Sequence, residues 1–220
     1  MVENTKRFLV HPVFAIALEL PEEHFVDMHK FDVHDESWFR YMKYYDEFNE
    51  EEKKVTKDVW LGGHADFGSL TLLFSQPMAS LQVRRESDQK WQFVKHVPGA
   101  MIVNAGQFMS WFTGDFFKAA IHRVSAPPKD QRNYERCGVF YFVVPNDDVV
   151  CGTQMQSPVL QRNGIKPRPE NEVTTSKIYS QARISKVGKT TVSMGGHKEG
   201  EFQVELVGGV SMHIVQSLPS

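Results

Sequence analysis

His64-Ala65-Asp66 sets an imidazole and a carboxylate two residues apart, and a second imidazole, His122, follows within Ile121-His122-Arg123-Val124. In extended backbone, residues i and i+2 project from one face, so His64 and Asp66 can close on one ion while Ala65 points away. Two imidazoles and one carboxylate cover one face of an octahedral metal and leave three cis positions open. Non-haem Fe(II) centres use this ligand set, with the open positions available for a co-substrate and O2. The spacing therefore predicts that His64, Asp66 and His122 are metal ligands and together form the catalytic centre. His122 must be delivered from a distant part of the chain. Residues Phe116 to Ser125 read as a strand entered from the turn Thr113-Gly114-Asp115, which would face His122 inward beside the first pair.

A second chemically telling residue is Arg136, which opens the run Arg136-Cys137-Gly138-Val139-Phe140-Tyr141-Phe142-Val143-Val144 ahead of Pro145-Asn146-Asp147-Asp148. This aromatic and β-branched run reads as a buried strand, and a guanidinium at its mouth requires an anionic partner. The partner is either a protein carboxylate or a ligand. A bidentate fork opposite the metal would suit the far carboxylate of a dicarboxylic acid whose other end chelates the ion. Arg132 is a rival for that role, but it lies among Asp130, Gln131 and Asn133 in turn-like sequence. Phe140 and Phe142 share the parity of Arg136 and could form a hydrophobic substrate wall or simple core packing. Lys118 shares parity with His122 and could approach a substrate, with a solvated hairpin lysine as the plainer reading. Cys137 alternates away from Arg136 and reads as an ordinary buried thiol.

The elements that must position these residues form an alternation of short strands and turns without any βαβ rhythm. Ser69 to Ser75 is β-prone, Ser80 to Arg85 and Trp91 to His96 flank the polar turn Glu86-Ser87-Asp88-Gln89, and Pro98-Gly99 precedes Ala100 to Asn104. A jelly roll requires this pattern. Ahead of it, the sequence predicts a helix over Phe8 to Leu20, a second helix from the acidic start Pro21-Glu22-Glu23 to about His29, and a strand over Trp38 to Tyr45. After Pro145 the chain is punctuated by Gly152, Pro158, Gly164, Pro167 and Pro169. Glu170 to Val187 then has the composition of a helix lying across the barrel mouth, and a glycine-rich tail follows. His29 and the other histidines outside the triad read as surface or capped residues.

Composition bounds the remainder. The 220 residues, 41% of them hydrophobic, suffice for one domain over 1–220 with its core at about 38–150. A net charge of -2 argues against a nucleic-acid or anionic-membrane partner, which would call for a clustered basic face. The apolar stretches are too short to span a bilayer, and Met1 to Lys6 lacks the order of a signal peptide. Two cysteines do not make a disulfide framework. The expected location is cytoplasmic, where Fe(II) survives.

The stretch Trp38 to Pro145 resembles the catalytic core of the Fe(II)/2-oxoglutarate-dependent dioxygenases, in particular the isopenicillin N synthase-like branch with its fungal tailoring enzymes of secondary metabolism. The matching elements, in the family's order, are Arg40 to Tyr45, Gly63 to Leu73, Val103-Asn104-Ala105-Gly106, Ile121 to Val124 and Arg136-x-Gly138. The resemblance implies a mainly β fold, a double-stranded β-helix (jelly roll, cupin-like) with flanking α-helices. It implies His64, Asp66 and His122 as the Fe(II) ligands, Arg136 as the 2-oxoglutarate arginine and Tyr45 as the tyrosine that helps hold the same carboxylate. The implied reaction consumes 2-oxoglutarate and O2 and oxidises a small, hydrophobic metabolite by hydroxylation, desaturation or cyclisation. Two departures stand out. Gly138 replaces the serine of the usual Arg-x-Ser, removing a hydrogen bond to a charged group worth about 1.5–3 kcal/mol, and Lys43 stands where many members have asparagine. Members normally carry a longer segment before the His-x-Asp strand. The family's N-terminal region is accordingly expected to be missing, with a homodimer whose partner closes the gap as one outcome. An oxidase that needs no 2-oxoglutarate and a non-catalytic jelly-roll module are the alternative readings.

Overall fold

In the computed structural model, residues 11–45, 51, 56–132, 134–170, 173–186, 203–207 and 210–214 are described. Eight antiparallel strands form two four-stranded sheets: β1 (Trp38–Tyr44), β2 (Val59–His64), β3 (Leu70–Phe74), β4 (Leu81–Arg84), β5 (Trp91–Phe93), β6 (Met101–Ala105), β7 (His122–Ser125) and β8 (Arg136–Val143). One sheet has the order β1-β8-β3-β6 and the other β2-β7-β4-β5. Strands next to one another in sequence thus fall in opposite sheets except β4 and β5, which is the connectivity of a jelly roll.

Parity along three strands separates the core from the cavity. Leu70 and Leu72 of β3, with Tyr141 and Val143 of β8, turn to one side of the first sheet and pack against helix α2 (Gln107–Phe112), Leu18, Phe25 and Tyr179. The intervening Thr71, Leu73, Phe140 and Phe142, with Trp38, Arg40, Met42 and Tyr44 of β1, line a cavity between the sheets. Trp111 and Phe112 are buried in the core.

The first helix, α1, is His11–Ala17. It ends in a Schellman-type closure, with Leu20 N–H on Ala15 O and Glu19 N–H on Ile16 O across a left-handed Glu19 (φ 55°). Residues 8–10 of the expected helix lie outside the described residues. The second expected helix does not form: residues 22–28 are consecutive turns, with His24 N–H on Pro21 O but Asp27 N–H on Glu23 O. Mixed i+3 and i+4 bonding serves tertiary anchors instead, because Phe25 is fully buried and His29, expected at the surface or capped, is buried with Nδ1 2.8 Å from Phe25 O and Nε2 2.8 Å from Ser69 Oγ.

The strand expected over Phe116 to Ser125 is confined to His122–Ser125. The residues before it cross from one sheet to the other, with Ala120 N–H on Ala105 O at the end of β6 and Ile121 O accepting from Arg84 of the opposite sheet. Cys137 is exposed, not buried: it shares the outer face of β8 with Tyr141 and Val143, but the core that covers those two does not extend to this end of the strand. After the short α3 (Pro158–Arg162), helix α4 covers Ser176–Lys186. The glycine-rich tail, for which no element was expected, contains an antiparallel pair, β9 (Gln203–Val207) and β10 (Val210–Ile214), with Val207 opposite Val210. No helix among the described residues is long and apolar enough to cross a membrane.

Candidate active site

His64 ends β2 and His122 begins β7, and the two are directly opposed in the ladder between these strands. Their rings approach to 4.4 Å between centroids. Asp66 lies just beyond the end of β2, in the loop to β3, rather than in extended strand as the i, i+2 argument assumed. Its position comes from α2: Gln107 N–H donates to Asp66 O at 2.8 Å, and Phe108 N–H to Gly68 O at 3.2 Å. Gly106 permits this approach. A Cβ at position 106 would lie 2.2 Å from Gly68 O and 2.9 Å from Asp66 O, both backbone atoms with no freedom to withdraw. Gly106→Ala should therefore displace the Asp66 loop, and metal titration of the variant against wild type would detect the weakened site.

The donor atoms converge. His64 Nε2 is 3.6 Å from Asp66 Oδ1, His122 Nε2 is 3.8 Å from Asp66 Oδ2, and one ligand atom from each residue falls within 4.8 Å of the others. Each imidazole has its other nitrogen on a carbonyl, His64 Nδ1 on Gly62 O at 2.9 Å and His122 Nδ1 on Ala120 O at 3.0 Å. A carbonyl only accepts, so both Nδ1 atoms carry the proton and both Nε2 lone pairs are free for a metal. Burial, reinforced by His122, lowers the pKa of His64 and so favours its neutral form. Burial works against ionisation of Asp66, but His122, hydrogen bonds from Thr71 and Asn104, and His64 together hold its carboxyl below the usual range.

Thr71 Oγ1 donates to Asp66 Oδ2 at 2.6 Å and Asn104 Nδ2 donates to the same atom at 2.9 Å. These bonds fix the carboxylate's rotation. Neither residue had been given a role from sequence, although a lone threonine between Leu70 and Leu72 was a usable signal. Thr71→Val keeps the shape and removes the donor. Metal affinity should fall by about 10–100-fold, as it does when outer partners of metal ligands are lost; a competition titration with a chromogenic chelator measures it.

Arg136 is only 5% exposed, and its Nη1 finds no hydrogen-bond partner. Its guanidinium lies 5.0 Å from the centroid of the Tyr44 ring. Burial lowers its pKa, opposed by Tyr44. It lines a hollow of about 20 Å³ that shares Leu73, Leu81, Val94 and Ile102 with the main cavity. The expected clamp partner Tyr45 does not reach this place. Position 45 follows the end of β1 and is half exposed, with the ammonium of Lys43 over its ring, whereas Tyr44 is opposite Arg136 in the β1–β8 ladder. The tyrosine facing the cavity is therefore Tyr44. Arg132 is engaged elsewhere, with Nη2 2.8 Å from Asp58 Oδ2 and Nε on Pro127 O.

Gly138 leaves room that the Phe140 ring takes. A Cβ at 138 would meet that ring at 2.3 Å and would stand 3.5 Å from Arg136 Nη1. Phe140 and Phe142 both line the main cavity, whose volume is about 550 Å³, and the Phe142 ring stacks on Trp38 at 4.7 Å, which in turn stacks on Phe67 at 5.2 Å. Lys118 lines the same cavity, but its ammonium is paired with Glu86. Arg183 of α4 completes the lining; that helix is shorter than the expected Glu170 to Val187.

The profile of the 2OG-Fe(II) oxygenase superfamily matches residues 38–145, the span that runs from the start of β1 to the residues just after β8. That span, just under half of the chain, is what this chain shares with the superfamily. The superfamily's cofactor set is Fe(II), with 2-oxoglutarate and O2 as co-substrates. Among curated relatives, the 2-oxoglutarate-Fe(II) type oxidoreductase hxnY of Emericella nidulans is 31% identical over 139 residues, covering 63% of this chain and 37% of that protein. Feruloyl CoA ortho-hydroxylase 2 of Arabidopsis thaliana is 30% identical over 136 residues, covering 61% and 35%. The chain thus spans little more than a third of the length of these two relatives. A 2OG-Fe(II) oxygenase family protein from Caulobacter crescentus shares the fold with a TM-score of 0.63 at 21% identity, over 80% of this chain and 53% of that one. The rice dioxygenase for auxin oxidation does so with a TM-score of 0.59 at 19% identity, over the same shares. The residues of this chain fit the superfamily's metal and co-substrate: three converging donors suit a divalent ion, and a buried guanidinium with an unanswered Nη1 suits a carboxylate.

Proposed function

We propose that this chain is the catalytic domain of a dioxygenase that couples the decarboxylation of 2-oxoglutarate to oxidation of a C–H bond in a small, largely apolar metabolite, by hydroxylation, desaturation or cyclisation. His64, Asp66 and His122 hold Fe(II), which when bound supplies a site for 2-oxoglutarate chelation and O2 activation. Arg136 receives the distal carboxylate of the co-substrate, and Tyr44 borders the same end of the cavity. The observation that carries this reading is the buried Arg136 guanidinium with an unpartnered Nη1, because a cation taken out of water without an anion is costly unless a ligand supplies one.

The remaining residues position and exclude. Thr71 and Asn104 fix the carboxylate of Asp66, so that the three donors would hold a bound ion at the cavity wall. Trp38, Phe67, Phe140 and Phe142 form an aromatic wall that keeps water from the reacting centre and offers flat apolar contact to the substrate. The chain's part in the reaction is orientation, since the cofactor carries the difficult step.

Incubation with Fe(II), ascorbate, O2 and 2-oxoglutarate tests the reading directly: succinate should accumulate above a metal-free control, and faster when a substrate is supplied. No succinate from fully iron-loaded protein across a broad panel of small apolar metabolites would refute it. Arg132→Leu should leave the 2-oxoglutarate requirement within about twofold of wild type, since that side chain already serves Asp58 in a part-exposed ion pair of small worth.

A further inference from the structure

We propose that the substrate is a carboxylic acid on an apolar, preferably flat body, and that Arg40, with Arg183 as a second cation, receives its carboxylate. This rests on the reading of the cavity as an Fe(II)/2-oxoglutarate site. The inner face of β1 presents Trp38, Arg40, Met42 and Tyr44 to the cavity in order, and the ladder to β8 sets Tyr44 opposite Arg136 and Arg40 opposite Phe140. Four strand residues separate the two places, about 13 Å at roughly 3.3 Å per residue. Arg40 therefore addresses a region of the cavity beyond the co-substrate's carboxylate end. Its guanidinium carbon lies 5.5 Å from the centroid of the Phe142 ring. A guanidinium that rests on an aromatic face keeps its N–H edge available for a planar anion.

Charge accounting points the same way. With Fe(II) and 2-oxoglutarate bound, the two positive charges of the metal and the one of Arg136 are matched by Asp66 and the two carboxylates of the co-substrate. Lys118 is answered by Glu86. Among the described residues, Asp66 is the only acid in the cavity lining and no carboxylate forms an ion pair with Arg40. Arg183 of α4 also lines the cavity, with contacts of its own, and does not enter this balance. Arg40 is exposed at the rim of this aromatic cavity, where it can meet an anionic group carried on an apolar body that enters from there.

The test uses the full chain with Fe(II) and saturating 2-oxoglutarate under anaerobic conditions, so that binding is read without turnover. The probes are 2-naphthoate and its methyl ester, which share the apolar body and differ in charge, titrated by their fluorescence. The acid should bind about tenfold or more tighter than the ester, as a charge-assisted contact requires. In Arg40→Gln, and more so in Arg40→Gln combined with Arg183→Gln, the preference should fall to within about twofold, while ester affinity holds and Arg40→Lys retains part of the preference. Equal affinities in the wild type, a preference that survives in the double variant, or binding of neither probe would each overturn the proposal. If the double variant lost 2-oxoglutarate affinity while Arg136→Leu kept it, the co-substrate assignment would be the one at fault, and the assignment of Arg40 would fall with it.

Discussion

His64→Ala should abolish iron binding and turnover while leaving the fold intact. The imidazole is one of three protein donors, and it closes the site from the end of β2, where its side chain is 31% exposed and carries little of the core. Removing it leaves Asp66 and His122 as an incomplete set. The loss in affinity should exceed the ~10–100-fold typical of removing a mere outer partner of a ligand. Elemental analysis of anaerobically reconstituted protein should give one iron per wild-type chain and close to none for the variant, with unchanged circular dichroism. Unaltered iron stoichiometry in His64→Ala would mean that the three side chains converge for another reason.

Arg136→Leu separates the co-substrate from the metal. Loss of a guanidinium that forks a carboxylate removes charge-assisted hydrogen bonds of about 1.5–3 kcal/mol each, so the concentration of 2-oxoglutarate needed for half-maximal succinate formation should rise by ~10–100-fold or more. Iron stoichiometry should not change, because Arg136 is not among the three converging donors. Stability gives an independent readout. A structural arginine with protein partners would leave them orphaned on replacement, and Tm would drop. Here Arg136 has no carboxylate partner to orphan and only its contact with Tyr44 is lost, while a leucine in a buried strand removes a desolvation cost, so Tm should change little. A lowered Tm together with an unchanged 2-oxoglutarate requirement would mark Arg136 as a structural residue.

Much of the site was legible because its parts are local in sequence or follow strand parity. His64, Asp66 and His122 converge as expected, and Phe140 and Phe142 reach the cavity because parity along β8 is strict. The misreadings share one cause, that parity holds only inside a strand. Tyr45 was selected by motif position, yet β1 ends at Tyr44 and the pairing with Arg136 falls on that residue. Asp66 also lies past a strand end, and it is held by backbone bonds to α2 that no spacing rule encodes. Arg40 shares a strand face with Tyr44 and could have been found by the same parity. Arg183 could not, since its place depends on how α4 packs over the barrel. The two strands around Gly208-Gly209 went unread although β-prone runs on either side of two glycines are a hairpin signal.

The central claim is that this cavity assembles Fe(II) and 2-oxoglutarate together, and anaerobic absorbance tests it most directly. Protein loaded with Fe(II) and titrated with 2-oxoglutarate should develop the weak visible charge-transfer band of the iron-bound chelate, saturating at one equivalent. The band should be absent in His64→Ala, and in Arg136→Leu it should appear only at much higher 2-oxoglutarate. A wild-type protein that binds iron but develops no band at any 2-oxoglutarate concentration would contradict the account.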